Sequence, residues 1–303
     1  MPELPEVETI TRGLRRSLPG RRIVDVRFGK TDFVDDPRAI EVNAPGRRIE
    51  DVLRFGKFIL LRMGPRTGGG AVAERSPDAS YLVVHLGMTG QLTPRDAKEP
   101  AGKHTHAQIR LDDGRELRYT DMRRFGRMAW VGAENLKQIL GELGEDPLEV
   151  SEEEFRKRLG GRRAMVKALL LDQHVLRGMG NIYADESLWR ARIHPQRDAS
   201  AIRRDGIRRL HRAIQQVLRD AIRLGGSSVS DYVNAEGERG MFQRRHRVYQ
   251  REGKGCYRCG AAIRRVIVAG RSSYFCPRCQ KAKSRKTKNG KRKLRRRSGR
   301  GED

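Results

Sequence analysis

The chain opens Met1-Pro2-Glu3-Leu4-Pro5-Glu6, which places a proline beside the initiator methionine and two carboxylates close behind it. Pro2 is small enough for Met1 to be trimmed, and trimming leaves a free secondary α-amine. Free α-amines have pKa values of about 7.7–8.0, so near neutrality a useful fraction is unprotonated and nucleophilic. A secondary amine that attacks a sugar C1′ passes to an iminium, the Schiff-base chemistry that lysines perform. Glu3 and Glu6 stand where a general acid and base are wanted. The same residues also suit an ordinary helix start, with Pro5 and acidic residues in the first turn and Val7, Ile10 and Leu14 on one apolar face. Partners further along the chain have to decide between the two.

Four cysteines lie at the far end, as Cys256-Tyr-Arg-Cys259 and Cys276-Pro-Arg-Cys279. The spacing is that of a four-cysteine zinc site, each pair placing two thiolates on one tight knuckle. The alternative, two disulfides, belongs to secreted proteins, and the chain opens without a signal peptide. One structural Zn²⁺ held by Cys256, Cys259, Cys276 and Cys279 is therefore expected. Between the pairs, Ile263, Val266 and Val268 are followed by a turn at Gly270-Arg271, which predicts a zinc-stapled β-hairpin with Arg271 at its tip.

The net charge is +27 over 303 residues, with a sequence pI of about 10.9. Residues 281–303 carry twelve Lys/Arg and two acids, which leaves +17 on the preceding 280 residues. A cationic surplus outside the tail is the electrostatic footprint of a polyanion partner. No long apolar run or amphipathic basic helix argues for a membrane. The tail is poor in apolar residues and is expected to be disordered, adding at most non-specific DNA affinity.

The elements that must position these groups change type partway. Strands are expected at 23–28, 49–53, 58–61, 81–86, 108–111, 116–119 and 127–131, with a hairpin turn at Phe55-Gly56-Lys57 and a mobile polar loop at 64–80. Helices are expected at 133–143, 151–159, 163–173, 181–191 and 199–224. The fold class is thus α+β and multidomain: an N-terminal helix with a β-sandwich (1–132), a helical domain (133–245), a four-cysteine zinc finger (246–281) and the basic tail (282–303).

At this point whole blocks match a known family. PELPEVET at 2–9, FGKFILL at 55–61, HLGMTGQL at 85–92 and YTDMRRFG at 119–126 resemble bacterial formamidopyrimidine-DNA glycosylases. The likeness continues in LLLDQHVLRGMGNIYADESLWRARIHP at 169–195, GGSSVSDYVNAEGERGMFQ at 225–243, VYQREGKGCYRCG at 248–260 and GRSSYFCPRCQ at 270–280. The blocks occur in the family's order and span residues 2 to 280.

The resemblance implies a bifunctional glycosylase and AP lyase of base excision repair that removes 8-oxoguanine and ring-opened purines. On matching positions, Pro2 is the nucleophile, Glu3 its acid–base partner, and Glu6 shapes the pocket. Lys57 contacts DNA phosphate near the lesion and assists elimination. Asn181, also a good helix N-cap, binds phosphate within a helix-two-turns-helix element, and Arg271 clamps the same backbone. The damaged nucleotide must leave the stack, and Met88, Arg123 and Phe125 match the residues that fill the gap, although a lone Met or Phe in a β-protein more often packs in the core. Arg123 reads the orphaned cytosine. His104, Arg162 and Lys167 match further DNA- or base-contacting positions. The implied partner is damaged double-stranded DNA, bound by a monomer in a bacterial cytoplasm, associated with the nucleoid.

The chain departs from the family pattern at 64–80, which is longer and more polar, at Met241, where an aromatic is expected, and in its tail. Two other readings are an endonuclease VIII-like enzyme for oxidised pyrimidines and a non-catalytic zinc-finger damage-binding protein. Leu4, Arg123 and Phe125 argue against the first, and Pro2, Glu3 and Lys57 against the second.

Overall fold

The computed structural model describes residues 1–66, 80–229 and 231–282. The expected disorder of the tail beyond 282, and most of the expected loop at 64–80, lie outside the described residues.

Helix α1 (Leu4–Ser17) begins at Glu3, whose backbone N–H is accepted by the Glu6 carboxylate at 2.8 Å. That contact satisfies one of the orphan donors of a helix start. Basic Arg15 and Arg16 complement the dipole at the other end. Its apolar stripe serves two cores. Leu4 packs among the helices that follow, whereas Val7, Ile10 and Leu14 pack inside the sandwich.

The sandwich has two four-stranded antiparallel sheets. One is ordered β1 (Ile23–Phe28), β6 (Thr105–Leu111), β7 (Arg115–Thr120), β5 (Gln91–Asp96). The other is β2 (Arg47–Phe55), β3 (Phe58–Arg66), β4 (Ser80–His85), β8 (Arg127–Gly132). Ile59, Leu61, Met63, Leu82 and Val84 point into the sandwich, where Ile109, Leu117 and Tyr119 meet them. The alternate residues Leu60, Val83 and Val131 pack on Leu136 and Leu140 of helix α3 (Ala133–Gly141). A sheet covered on both faces explains why Phe58–Met63 runs nearly continuously apolar instead of alternating.

The unanticipated elements include a strand and a short helix in the N-terminal region. β5 contains Pro94, which reads against a strand, but β5 is an edge strand, where a missing N–H is tolerated. Helix α2 (Pro37–Asn43) is only seven residues long, started by Asp36 accepting the Ala39 N–H at 2.9 Å. The helical region contains α4 (Glu152–Leu159), α5 (Val166–Leu171), α6 (Asn181–Ala191) and α7 (Arg204–Arg223). The expected helix at 199–224 divides into a 3-10 turn at Ala199–Ala201 and α7. Among the described residues, no helix is long and apolar enough to cross a membrane.

The finger hairpin pairs β9 (Arg264–Val268) with β10 (Arg271–Phe275) across Ala269-Gly270, so the hairpin is as expected but the turn lies one residue earlier, and Arg271 is the first residue of β10 and not the tip. Helix α6 is the platform for this hairpin. Asp185 accepts the Tyr274 N–H at 2.9 Å, and Glu186 accepts the N–H groups of Arg247, Val248 and Tyr249. The sandwich is bolted to the helices by Arg54, 2.7 Å from both Glu8 of α1 and Asp146 of the α3–α4 connection. Arg177 lies 4.2 Å above the Phe55 ring beside it.

Candidate active site and nucleic-acid interface

A cavity of about 710 Å³ opens where α1, the β2–β3 turn, the start of α6 and the finger turn converge. Pro2, Glu3, Glu6, Lys57, Met88, Asn181 and Arg271 all line it. These seven sequence-predicted residues come from points up to 269 positions apart in the chain.

Each side chain has a local reason for its place. Residues 56 and 57 form a two-residue hairpin loop, with Gly56 at φ +59° in the first central position. That is the geometry of a turn matching the strand twist, and it puts Lys57 at the tip. Glu3 is buried, and its carboxylate accepts the N–H groups of Ile182 at 3.0 Å and Tyr183 at 3.4 Å. It therefore caps α6 from 179 residues away in sequence. This corrects the expectation for Asn181. The N-cap position belongs to Gly180, and Asn181 is the first helical residue. Its side-chain amide donates instead to the Ser272 carbonyl at 2.9 Å, tying the helix to the finger hairpin.

Burial sets the proton affinities. It pushes the Glu3 carboxyl up, opposed by Lys57 and by the two α6 amides. It pushes the Lys57 ammonium down, opposed by Glu3. A carboxylic acid raised and an amine lowered toward neutrality are both better suited to moving protons. Glu6 is pushed up to about 7 by burial and then by the Glu3 charge. Its carboxylate accepts the Tyr183 hydroxyl, the Ser227 N–H at 2.7 Å and the Glu3 N–H.

Met88 and Phe125 are not core residues. They are 39% and 54% exposed, although most large apolar side chains of the sandwich are buried. The Arg123 guanidinium stacks 4.7 Å over the Phe125 ring. His104 is half-buried just before β6, and Arg162 is exposed in the α4–α5 connection. Neither these two nor Arg123 and Phe125 line the cavity.

Lys167 contradicts the expectation of a DNA or base contact. It is fully buried, paired with Asp185 at 2.6 Å, and donates to the Ser272 carbonyl at 3.1 Å. It props the hairpin that carries Arg271 and presents no charge at the surface. A spacing-based reading could not see this, because α5 is short and buries Lys167 with Val166, Leu169 and Leu170. Tyr183, Ser227 and Tyr249 are contributors that sequence reasoning left without roles. Their blocks were recognised, but Tyr183 shows its purpose only through Glu6, a partner 177 residues away.

The four cysteine sulfurs lie within 4.8 Å of one another, and all four are free thiols. Tetrahedral Zn–S bonds of about 2.3 Å place sulfurs about 3.8 Å apart. The Cys259–Cys276 and Cys259–Cys279 separations, both 3.4 Å, fit that better than a disulfide. Donors surround the sulfurs as thiolates require, including Trp189 Nε1 to Cys256 Sγ at 3.5 Å and the Cys279 N–H to Cys276 Sγ at 3.3 Å. The donor set fits one structural zinc ion. A second hollow of about 570 Å³, on the α7 side of α6 beside Trp189 and Phe242, contains none of the predicted residues.

Comparison with known proteins shows what this arrangement resembles. Residues 1–128 match the formamidopyrimidine-DNA glycosylase N-terminal domain, and 143–233 match the formamidopyrimidine-DNA glycosylase H2TH domain. Residues 253–282 match the zinc finger found in FPG and IleRS. The chain is 47% identical over 283 residues to the formamidopyrimidine-DNA glycosylase of Solibacter usitatus, an alignment covering 93% of this chain and all of that one. It superposes with a TM-score of 0.83 on Lactococcus lactis Fpg bound to abasic-site DNA, at 33% identity, covering 92% of this chain and all of the other. A Lactococcus lactis FPG mutant bound to Fapy-dG DNA gives the same TM-score and identity, covering 93% of this chain and all of that one.

Proposed function

Because the chain belongs to the formamidopyrimidine-DNA glycosylase family, we propose that it excises oxidised purines from duplex DNA and then cleaves the strand at the resulting site. One observation carries the reading: Pro2, Glu3 and Lys57, all candidate reacting groups, line a single cavity.

Once Met1 is removed, the Pro2 nitrogen displaces the base at C1′, and the base leaves with a proton. The C1′–O4′ bond opens, O4′ takes a proton assigned to Glu3, and C1′ becomes the iminium carbon. Loss of a C2′ proton expels the 3′ phosphate, and a second elimination expels the 5′ phosphate. Hydrolysis of the iminium frees the enzyme. Lys57 neutralises phosphate and assists elimination. Arg271 and the second amide N–H of Asn181 hold the backbone beside the lesion. Met88 and Phe125 fill the gap, and Arg123 bonds the orphaned cytosine. Zinc, held by the four cysteines, is structural and fixes the finger that carries Arg271.

The same reading divides the chain at 132/133, 245/246 and 281/282. It takes the enzyme as a monomer on bacterial nucleoid DNA, supported by a cavity built from one chain.

Borohydride trapping on an 8-oxoguanine:cytosine duplex tests the proposal. The wild-type protein is expected to cross-link, and Pro2→Gly or a chain retaining Met1 to bind DNA without cross-linking. Undiminished trapping with Met1 shown intact by mass spectrometry removes Pro2 as nucleophile. Faster release of thymine glycol than of 8-oxoguanine supports the pyrimidine reading instead.

A further inference from the structure

Asp121 lines no part of the cavity and takes no part in the chemistry above. It is nevertheless fully buried, with its hydrogen-bonding groups engaged. Its N–H donates to the His104 carbonyl at 3.0 Å, and its carbonyl accepts His106 Nε2 at 3.0 Å. Oδ1 accepts the Thr89 hydroxyl at 2.5 Å and the Arg123 N–H at 3.1 Å. Oδ2 accepts the Tyr119 hydroxyl at 2.9 Å and the Gly126 N–H at 3.1 Å. Burial opposes the charge, but these donors outweigh it and hold the carboxyl below the usual range.

The partners form a pattern. Thr89 follows Met88, Gly126 follows Phe125, and Arg123 and His104 are themselves partners. We propose that Asp121 is the positioning residue that sets Met88, His104, Arg123 and Phe125 as one preorganised reading surface for duplex DNA. The inference rests on the DNA-contacting roles assigned to those four residues.

Apolar burial cannot hold these loops, because Met88 and Phe125 are exposed. A polar anchor has to do so. The loops also touch through backbone: a Cβ on Gly87, at φ +58°, would lie 2.3 Å from the Phe125 carbonyl carbon. Arg124, between the two readers, sits at φ +52°, a conformation a non-glycine residue keeps only when its surroundings over-determine it. Ordering the loops before DNA arrives removes that entropic cost from binding.

Asp121→Asn is the informative change, since it keeps the shape. An amide has one acceptor oxygen and one NH₂ group where the carboxylate meets four donors. Tyr119 or Thr89 can rotate its hydroxyl to accept, but one backbone N–H loses its carboxylate oxygen: that of Gly126 is left facing another donor, or that of Arg123 is left to the Thr89 hydroxyl alone, at 3.1 Å.

The experiment measures single-turnover excision of 8-oxoguanine opposite cytosine and opposite adenine, with elimination at a preformed abasic site in single-stranded DNA as the reading-independent control. Asp121→Asn is expected to lower the cytosine-to-adenine ratio roughly tenfold and to leave single-strand elimination within about twofold. Arg123→Ala is measured alongside. An unchanged ratio in Asp121→Asn where Arg123→Ala collapses it overturns the positioning role. An equal loss of both activities also overturns it, since that marks a general structural defect. A ratio that falls in Asp121→Asn but not in Arg123→Ala keeps the positioning role and removes Arg123 as reader. If neither variant changes the ratio, both assignments fail. Should Asp121→Asn not fold, Thr89→Ala and Thr89→Ser decide. The proposal requires a lower ratio in the first and the wild-type ratio in the second, and equal ratios overturn it.

Discussion

Glu3 and Gly180 approach so closely that residue 180 has no room for a side chain: a Cβ there would lie 2.2 Å from the Glu3 carboxyl carbon. The Gly180 backbone is extended, with φ −139°, so an alanine meets no conformational penalty and the conflict is purely steric.

Gly180→Ala is therefore expected to move the Glu3 carboxyl off the α6 amides while the protein stays folded. Displacing a catalytic group by about 1 Å costs on the order of 10²-fold in rate. Single-turnover excision, with circular dichroism as the control for folding, checks this. A rate within threefold of wild type would show that Glu3 does not need this seat.

Glu6 makes stability depend on pH in a stated direction. Burial pushes its folded pKa up to about 7, well above the ordinary glutamate value. The folded state therefore holds the proton more tightly than the unfolded chain does. The stabilisation this provides is full below about pH 4.5 and is lost as pH rises through about 7, amounting to ~3 kcal/mol. Urea unfolding of wild type and Glu6→Gln at pH 5.5 and pH 8 is expected to shift the stability difference in favour of the variant at the higher pH. A difference that does not move with pH contradicts the assignment.

The Lys167–Asp185 pair predicts a loss without any surface contact being touched. Asp185 is pushed up to about 7 by burial, against the pull of Lys167. Lys167→Met strands that carboxylate, and breaking a buried pair costs about 3–5 kcal/mol. DNA affinity is expected to fall as well, because the hairpin bearing Arg271 loses its prop. The double variant Lys167→Met/Asp185→Asn, which keeps an acceptor for the Tyr274 N–H, should recover much of the stability. Additive losses in that cycle would mean the two residues are not coupled.

Cys276→Ser is expected to release about one zinc ion per chain and to weaken DNA binding, with little change in sandwich unfolding. Metal analysis and a binding titration test it. A wild-type protein that contains no zinc and carries paired thiols would restore the disulfide alternative.

What the sequence made legible followed from locality. Pro2, Glu3 and Glu6 lie within five residues, the cysteines sit in two tight pairs, and Lys57 follows a turn glycine, so each announces itself by type and spacing. What it hid depended on distance or on the edge of a sheet. The strand β5 was not expected, since it carries Pro94 and its edge position, which tolerates a proline, is invisible in one strand. Lys167 matched a DNA- or base-contacting position, and its partner Asp185, eighteen residues on, shows only in the fold. Asn181 looked like a cap because the true capping carboxylate, Glu3, arrives from the opposite end of the domain pair. Asp121 sat inside a recognised block, yet nothing local showed that it joins three loops.

Helix α1 belongs to two cores, and its first turn docks on the segment from Gly178 to Tyr183. During synthesis those residues leave the ribosome long after Pro2. At about 5–20 residues per second, the delay is on the order of ten to thirty-five seconds. Throughout it the nascent N-terminus has no seat to occupy, so an aminopeptidase can reach Met1 before Pro2 is buried. The order in which the chain is made thus leaves time for the trimming that the chemistry proposed for Pro2 requires, and a chain whose first turn docked early would forfeit it.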